Sequence, residues 1–122
     1  MANTLMLVFS SPGSSPEQEA AYNEWYTNVH LQDVTSVPGV VAATRYKVAD
    51  ANADGVGHRY LAIYEIEDGV DPATVQASLG AAVRSGEIRM VKGLGGSSTT
   101  AFWHAISGRV ENGQPAPSAA RS

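Results

Sequence analysis

The chain of 122 residues contains no cysteine. That excludes a disulfide framework, a thiolate nucleophile and any cysteine-based metal centre. Charge is also scarce: 8 basic and 12 acidic residues give a net charge of −4, and no basic block occurs. A partner with a phosphate backbone or an anionic lipid surface needs such a block, so no nucleic acid and no membrane partner are expected. Long apolar runs are missing too. Residues 5–9 (LMLVF) are too few for a membrane span and lack the basic flank and cleavage site of a secretory signal. A cytoplasmic location is the expectation. There is no internal repeat, no heptad pattern and no G-x-S-x-G nucleophile motif. Gly93-Leu94-Gly95-Gly96 lacks the full dinucleotide pattern, and no strand-to-helix crossover precedes it. None of the 3 histidines stands at the i, i+2 or i, i+4 spacing of a metal clip. The reading therefore carries no metal and no organic cofactor.

What is there suffices for one modest core: 43% of residues are hydrophobic. We place a single domain at residues 1–107. Residues 108–122, rich in Pro, Ala, Ser and Gly, read as a flexible tail. A small domain with only 16% charged residues is expected to hide part of its surface in an oligomer.

Residues 5–9 are apolar on both faces, which suits a central strand. Ser15-Pro16-Glu17-Gln18 opens a helix: Ser15 caps, Pro16 fits the first position, and Gln18 completes a capping box. Tyr22, Trp25, Tyr26 and Val29 follow at the i, i+3, i+4, i+7 spacing of one apolar face. His30 falls at the margin of that face, and Asp33 returns to it. Val37-Pro38-Gly39 turns the chain. Residues 40–48 form a second strand, with Val40, Ala42, Thr44 and Tyr46 on one side and Val41, Ala43, Arg45 and Lys47 on the other. A turn-rich loop (49–57) leads to a third strand at 58–66. Asp71-Pro72 starts a second helix, which Gly86 stops. Residues 87–98 read as a flexible connection, and 99–106 as a fourth strand.

The order β-α-β-β-α-β is the split pattern of the ferredoxin-like α+β fold, with a four-stranded antiparallel sheet. Two helices can cover only one face of such a sheet. Apolar residues occur on both faces of three strands, so a second copy against the other face is the simplest cover. That predicts a twofold homodimer.

The stretch WYTNVHLQDVTSVPGVVAATRY resembles the dimeric α/β-barrel proteins, and within them the EthD-like group. The carrying residues are Trp25, Tyr26, His30, Asp33, Pro38, Gly39, Arg45 and Tyr46, and the detailed match runs over residues 22–67. One departure is visible: His30 is followed by Leu31-Gln32-Asp33, where many relatives have a proline directly before the acidic residue. The resemblance implies a small-molecule pocket between sheet and helices. It also implies a superfamily of cofactor-free monooxygenases, cyclases, dehydratases, isomerases and proteins of unknown role.

His30 is the best candidate for chemistry, because imidazole exchanges protons near neutrality. Asp33, at i+3, could orient it. The plainer alternative is a histidine that bonds the turn at a helix end. Tyr46 or Tyr60 could stabilise an oxyanion. Tyr22, Trp25, Tyr26, Tyr64 and Trp103 are candidate substrate-binding residues, with core packing as the alternative for each. Tyr46, Tyr60 and Tyr64 are expected on one sheet face, and His104 in the dimer interface. Three functions stay open. One is a cofactor-independent enzyme of isomerase, dehydratase or cyclase type acting on an apolar cyclic or aromatic small molecule. The others are a cofactor-free monooxygenase and a non-catalytic dimer that binds a metabolite.

Overall fold

The computed structural model describes residues 3–49, 57–94 and 96–115. Most of the loop expected at 49–57 and the end of the expected tail lie outside them. Four strands, β1 (Thr4–Ser11), β2 (Val40–Lys47), β3 (Tyr60–Ile66) and β4 (Ser97–His104), form one antiparallel sheet in the order β2-β3-β1-β4. The helices are α1 (Pro16–Trp25), a π turn (Tyr26–His30), α2 (Leu31–Thr35) and α3 (Pro72–Ser85). This is the ferredoxin-like fold, and β1 is a central strand.

The helix starts follow the local chemistry. Ser15 accepts from the Gln18 amide while the Gln18 side chain returns to the Ser15 amide, closing the capping box. Asp71 caps α3 through the Ala73 amide, and Gly86 ends it in the left-handed region at φ 86°. Gly39 turns the chain at φ 94°, where an added Cβ would press on Val70 and Val75.

The core lies between the helices and one sheet face. It gathers Met6, Tyr22, Tyr26, Val34, Val40, Ala62, Tyr64, Ile66, Val75 and Ile88. On the opposite face Leu5, Leu7, Phe9, Leu61 and Ile63 are only half-buried, while Tyr46 (51% exposed) and Trp103 (53%) stand in the open.

Three expectations are corrected by the register. A bulge at the start of β2 places Val40 opposite Ile66 but Ala42 opposite Glu65. Val40 therefore joins Ala43 and Arg45 on the helix side, rather than Ala42 and Tyr46. Tyr46 is paired with Leu61, so it faces away from Tyr60 and Tyr64 instead of sharing their side. His104 lies opposite Thr4 on the helix side and hydrogen-bonds to the Thr4 hydroxyl at 2.9 Å; it is not on the open face.

The connection expected to be loose is fastened at several points. Ile88 is buried and its amide donates to the Ala82 carbonyl at 3.0 Å. Further along, the Leu94 carbonyl accepts from the Gly13 amide at 2.9 Å, and the Gly93 carbonyl from the Gln18 side chain at 3.3 Å. Gly96 passes so close to Ser11 and Pro12 that any Cβ would collide with their backbone. Among the described residues, no helix is long and apolar enough to cross a membrane.

Candidate functional site

The helix that carries His30 is not a plain α-helix. Over Tyr26–His30 it widens, and the Leu31 amide donates to the Tyr26 carbonyl, five residues back. On an α-helix, residues five apart would point about 140° away from each other. The wider turn brings them together: the His30 imidazole stacks on Trp25, with ring centres 4.4 Å apart and planes at 29°. Tyr26 meets the same imidazole edge-on at 4.8 Å. A straight helical wheel, which gave Val29 the inward place, does not contain this geometry.

Beside these rings lies a cavity of about 400 Å³. Tyr22, Trp25, Tyr26 and His30 form its helix wall, and Val8 and Ser98 its floor on the sheet. Met90, Val91 and Leu94 close it from the connection, with Ser11 and Ser97 at the polar end. A second lobe of about 250 Å³ shares Val8, Tyr26, His30, Met90 and Ser98, and reaches Tyr64. His30 thus borders both spaces.

Burial sets the protonation of the group. It pushes His30 down to about 4, against a smaller upward pull from Asp33 and with a further downward push from Arg45. The imidazole is therefore neutral at pH 7. Its Nδ1 is fully buried and has no hydrogen-bond partner among the described residues. Burial also raises Tyr26 to about 12, against a smaller lowering by the hydrogen bond it accepts from Tyr64 at 3.1 Å, and carries Tyr64, the donor, higher still. These two phenols are hydrogen-bonding groups, not proton donors at neutral pH.

The structure brings together Tyr22, Trp25, Tyr26, His30 and Tyr64. It separates the other four candidates. Asp33 makes no bond to His30; its carboxylate is taken by Arg89, through Nη2 at 2.8 Å, Nε at 3.0 Å and the backbone amide at 2.9 Å. That arrangement, led by the Arg89 side chain, holds the Asp33 carboxyl below its usual range. Tyr60 is buried outside the cavity and donates to Glu19 at 2.6 Å while accepting from Asn23 at 3.0 Å. Tyr46 and Trp103 stand on the far face of the sheet.

Two arginines have roles that their sequence positions did not announce. Arg45 lies over the rings of Tyr26 at 4.4 Å, Tyr60 at 5.1 Å and Tyr22 at 5.7 Å. Its guanidinium also donates to Thr27 and Asn23, each at 3.0 Å. It therefore ties β2 to the helix at the π turn. The hints were its place in the EthD-like stretch and a charge, shared with Lys47, on the strand face that also carries Val40 and Ala43. Arg89 had no local signal, since its partner stands 56 residues away. Among the described residues, no three His, Asp or Glu side chains gather where a metal would bind.

No family model and no curated protein matches the chain. Solved structures do. A monooxygenase from ActVA-Orf6 of Streptomyces coelicolor, in complex with nanaomycin D, superposes with a TM-score of 0.57 at 18% identity, over 91% of this chain and 94% of that one. An EthD family protein of Bacillus halodurans C-125 gives 0.54 at 14% identity, over 84% and 98%. HapK from Hahella chejuensis gives 0.51 at 18% identity, over 89% and 99%. The chain has the ferredoxin-like fold of these structures, and the EthD-like resemblance of its sequence agrees with that fold.

Proposed function

We propose that the chain is a cofactor-independent small-molecule enzyme that moves a proton on a planar, largely apolar substrate, with His30 as the base. The observation that carries this reading is the His30 imidazole, kept neutral by burial, on the wall of a cavity of about 400 Å³ lined by aromatic rings. A neutral imidazole accepts protons at working pH. One whose conjugate acid titrates near 4 is a weak base, so the substrate C–H must itself be acidic, as beside a carbonyl in a conjugated ring. Ser97 and Ser98 offer hydroxyls to the polar edge of such a molecule. Isomerisation, dehydration and cyclisation all begin with this step. In this reading a second copy of the chain covers the open sheet face.

The second reading, an oxygenase whose substrate carbanion meets dioxygen, is favoured by the fold neighbour that is a monooxygenase with a bound ligand. Incubation of anthrone in D₂O tests both. His30-dependent deuterium exchange without oxygen uptake supports proton transfer alone; oxygen uptake that nitrogen abolishes supports the oxygenase. Tight retention of anthrone with neither event, unchanged in rate by His30→Ala, would leave the binding-protein reading.

A further inference from the structure

Arg89 is held from three sides. Its guanidinium makes two bonds to Asp33, its amide makes a third, and its carbonyl accepts from the Trp25 indole Nε1 at 2.9 Å. Trp25 in turn stacks on His30 at 4.4 Å. The two residues after Arg89, Met90 and Val91, are the outer wall of the same cavity, and both are exposed on their solvent side. One ion pair thus fixes two things together: the ring on which His30 rests, and the wall that closes the cavity.

We infer that Arg89 is a positioning residue for the His30 cavity, and that its pair with Asp33 is the latch holding the Trp25 ring and the Met90–Val91 wall in place. Asp33 then does act on His30, but by way of Arg89 and Trp25 rather than by touching it. The latch sits where solvent can reach it: the Arg89 side chain is 63% exposed, while that of Asp33 is 11% exposed. Among the described residues the Arg89 carbonyl is the one hydrogen-bond partner of the Trp25 indole N–H, and it ties the ring to the connection while Tyr22, Tyr26 and His30 pack against it.

This inference rests on reading the His30 cavity as the functional site, yet its test needs no substrate. The chain has 2 tryptophans, so ¹⁵N-labelled protein gives two indole N–H resonances, which Trp103→Phe assigns. In Arg89→Ala we expect the Trp25 resonance to move and its exchange with water to quicken at least tenfold, while the Trp103 resonance stays put. Asp33→Asn should do the same, and it carries the test if Arg89→Ala fails to fold. Arg89→Lys, which keeps the charge but not the paired donors, should fall between. A merely stabilising ion pair would lower the melting temperature of these variants and leave the indole resonance where it is. That result in folded protein would overturn the inference. Failure of anthrone exchange would instead count against the catalytic reading alone.

Discussion

His30 is costly to charge where it stands, and that cost has a sign. Its folded value near 4 lies below the ordinary 6.5, so between those values the unfolded chain binds more protons. The contribution is complete above about pH 6.5 and is lost as the pH falls toward 4. At pH 5 the loss is about 2 kcal/mol. Replacing the group by glutamine, which does not titrate, should flatten that part of the profile. Urea unfolding of the wild type and His30→Gln at pH 7 and pH 5, at one protein concentration, measures it. Equal losses in both proteins would mean that another group is responsible. The Tyr26–Tyr64 pair is a second residue-scale case. Tyr64→Phe removes a buried donor and leaves the Tyr26 hydroxyl without it, so a loss of about 1–2 kcal/mol in the same assay is expected. Tyr60→Phe makes a useful contrast, because it would strip Glu19 and Asn23 of a shared partner outside the cavity.

Among the elements, those fixed by near neighbours were legible in the sequence. The Ser15–Gln18 box, the Asp71 cap with Pro72, and the stop at Gly86 each depend on residues within one turn. Strand existence was legible too, because alternation is local. The π turn was not, since the signals for it are the packing of Trp25, Tyr26 and His30 against a sheet that comes later in the chain. The β2 bulge was missed for the same reason: the faces of β2 are set by its pairing with β3. The π turn also makes a prediction at its own scale. It is one residue longer than an α turn, and Asn28 within it is exposed. Deleting Asn28 should restore α geometry and leave Val34 in its buried place. His30 would then stand four residues from Trp25, the spacing at which α-helical side chains share a face, so the two rings should stay together. We expect an unchanged far-ultraviolet dichroism spectrum, with anthrone exchange kept near the wild-type level. A collapse of helix signal would show that the wide turn is needed for folding. At the next corner, Gly39→Ala forces a side chain into the left-handed region against Val70 and Val75, and should cost about 1–3 kcal/mol in urea unfolding.

For the whole molecule, the order of elements was enough to give the sheet and the side on which the helices lie. The site was only half legible. The aromatic run at 22–30 stood out, but its closing wall comes from the 86–96 connection, which has no regular pattern to read. The open face of the sheet was anticipated by the apolar residues on both sides of β1. It carries Leu5, Leu61, Ile63 and Trp103, and a hollow of about 510 Å³ borders Leu5, Ile63 and Trp103. If a second copy covers this face, Trp103→Glu should raise the dissociation constant at least a hundredfold, since a charge would have to be buried without a partner. Sedimentation across a dilution series measures it. A wild type that sediments as a monomer at all concentrations would remove the need for a dimer.

The β2 bulge and the π turn share a property that matters beyond this molecule. Each is one extra residue in an otherwise regular element, Val41 in the strand and one of five in the helix. Val41 is 57% exposed, and removing it would leave a regular ladder with every later side chain on its present face. In genetic terms each feature is one in-frame codon. A lineage could gain or lose the wide turn or the bulge by a three-base indel, with no substitution among the residues that line the cavity.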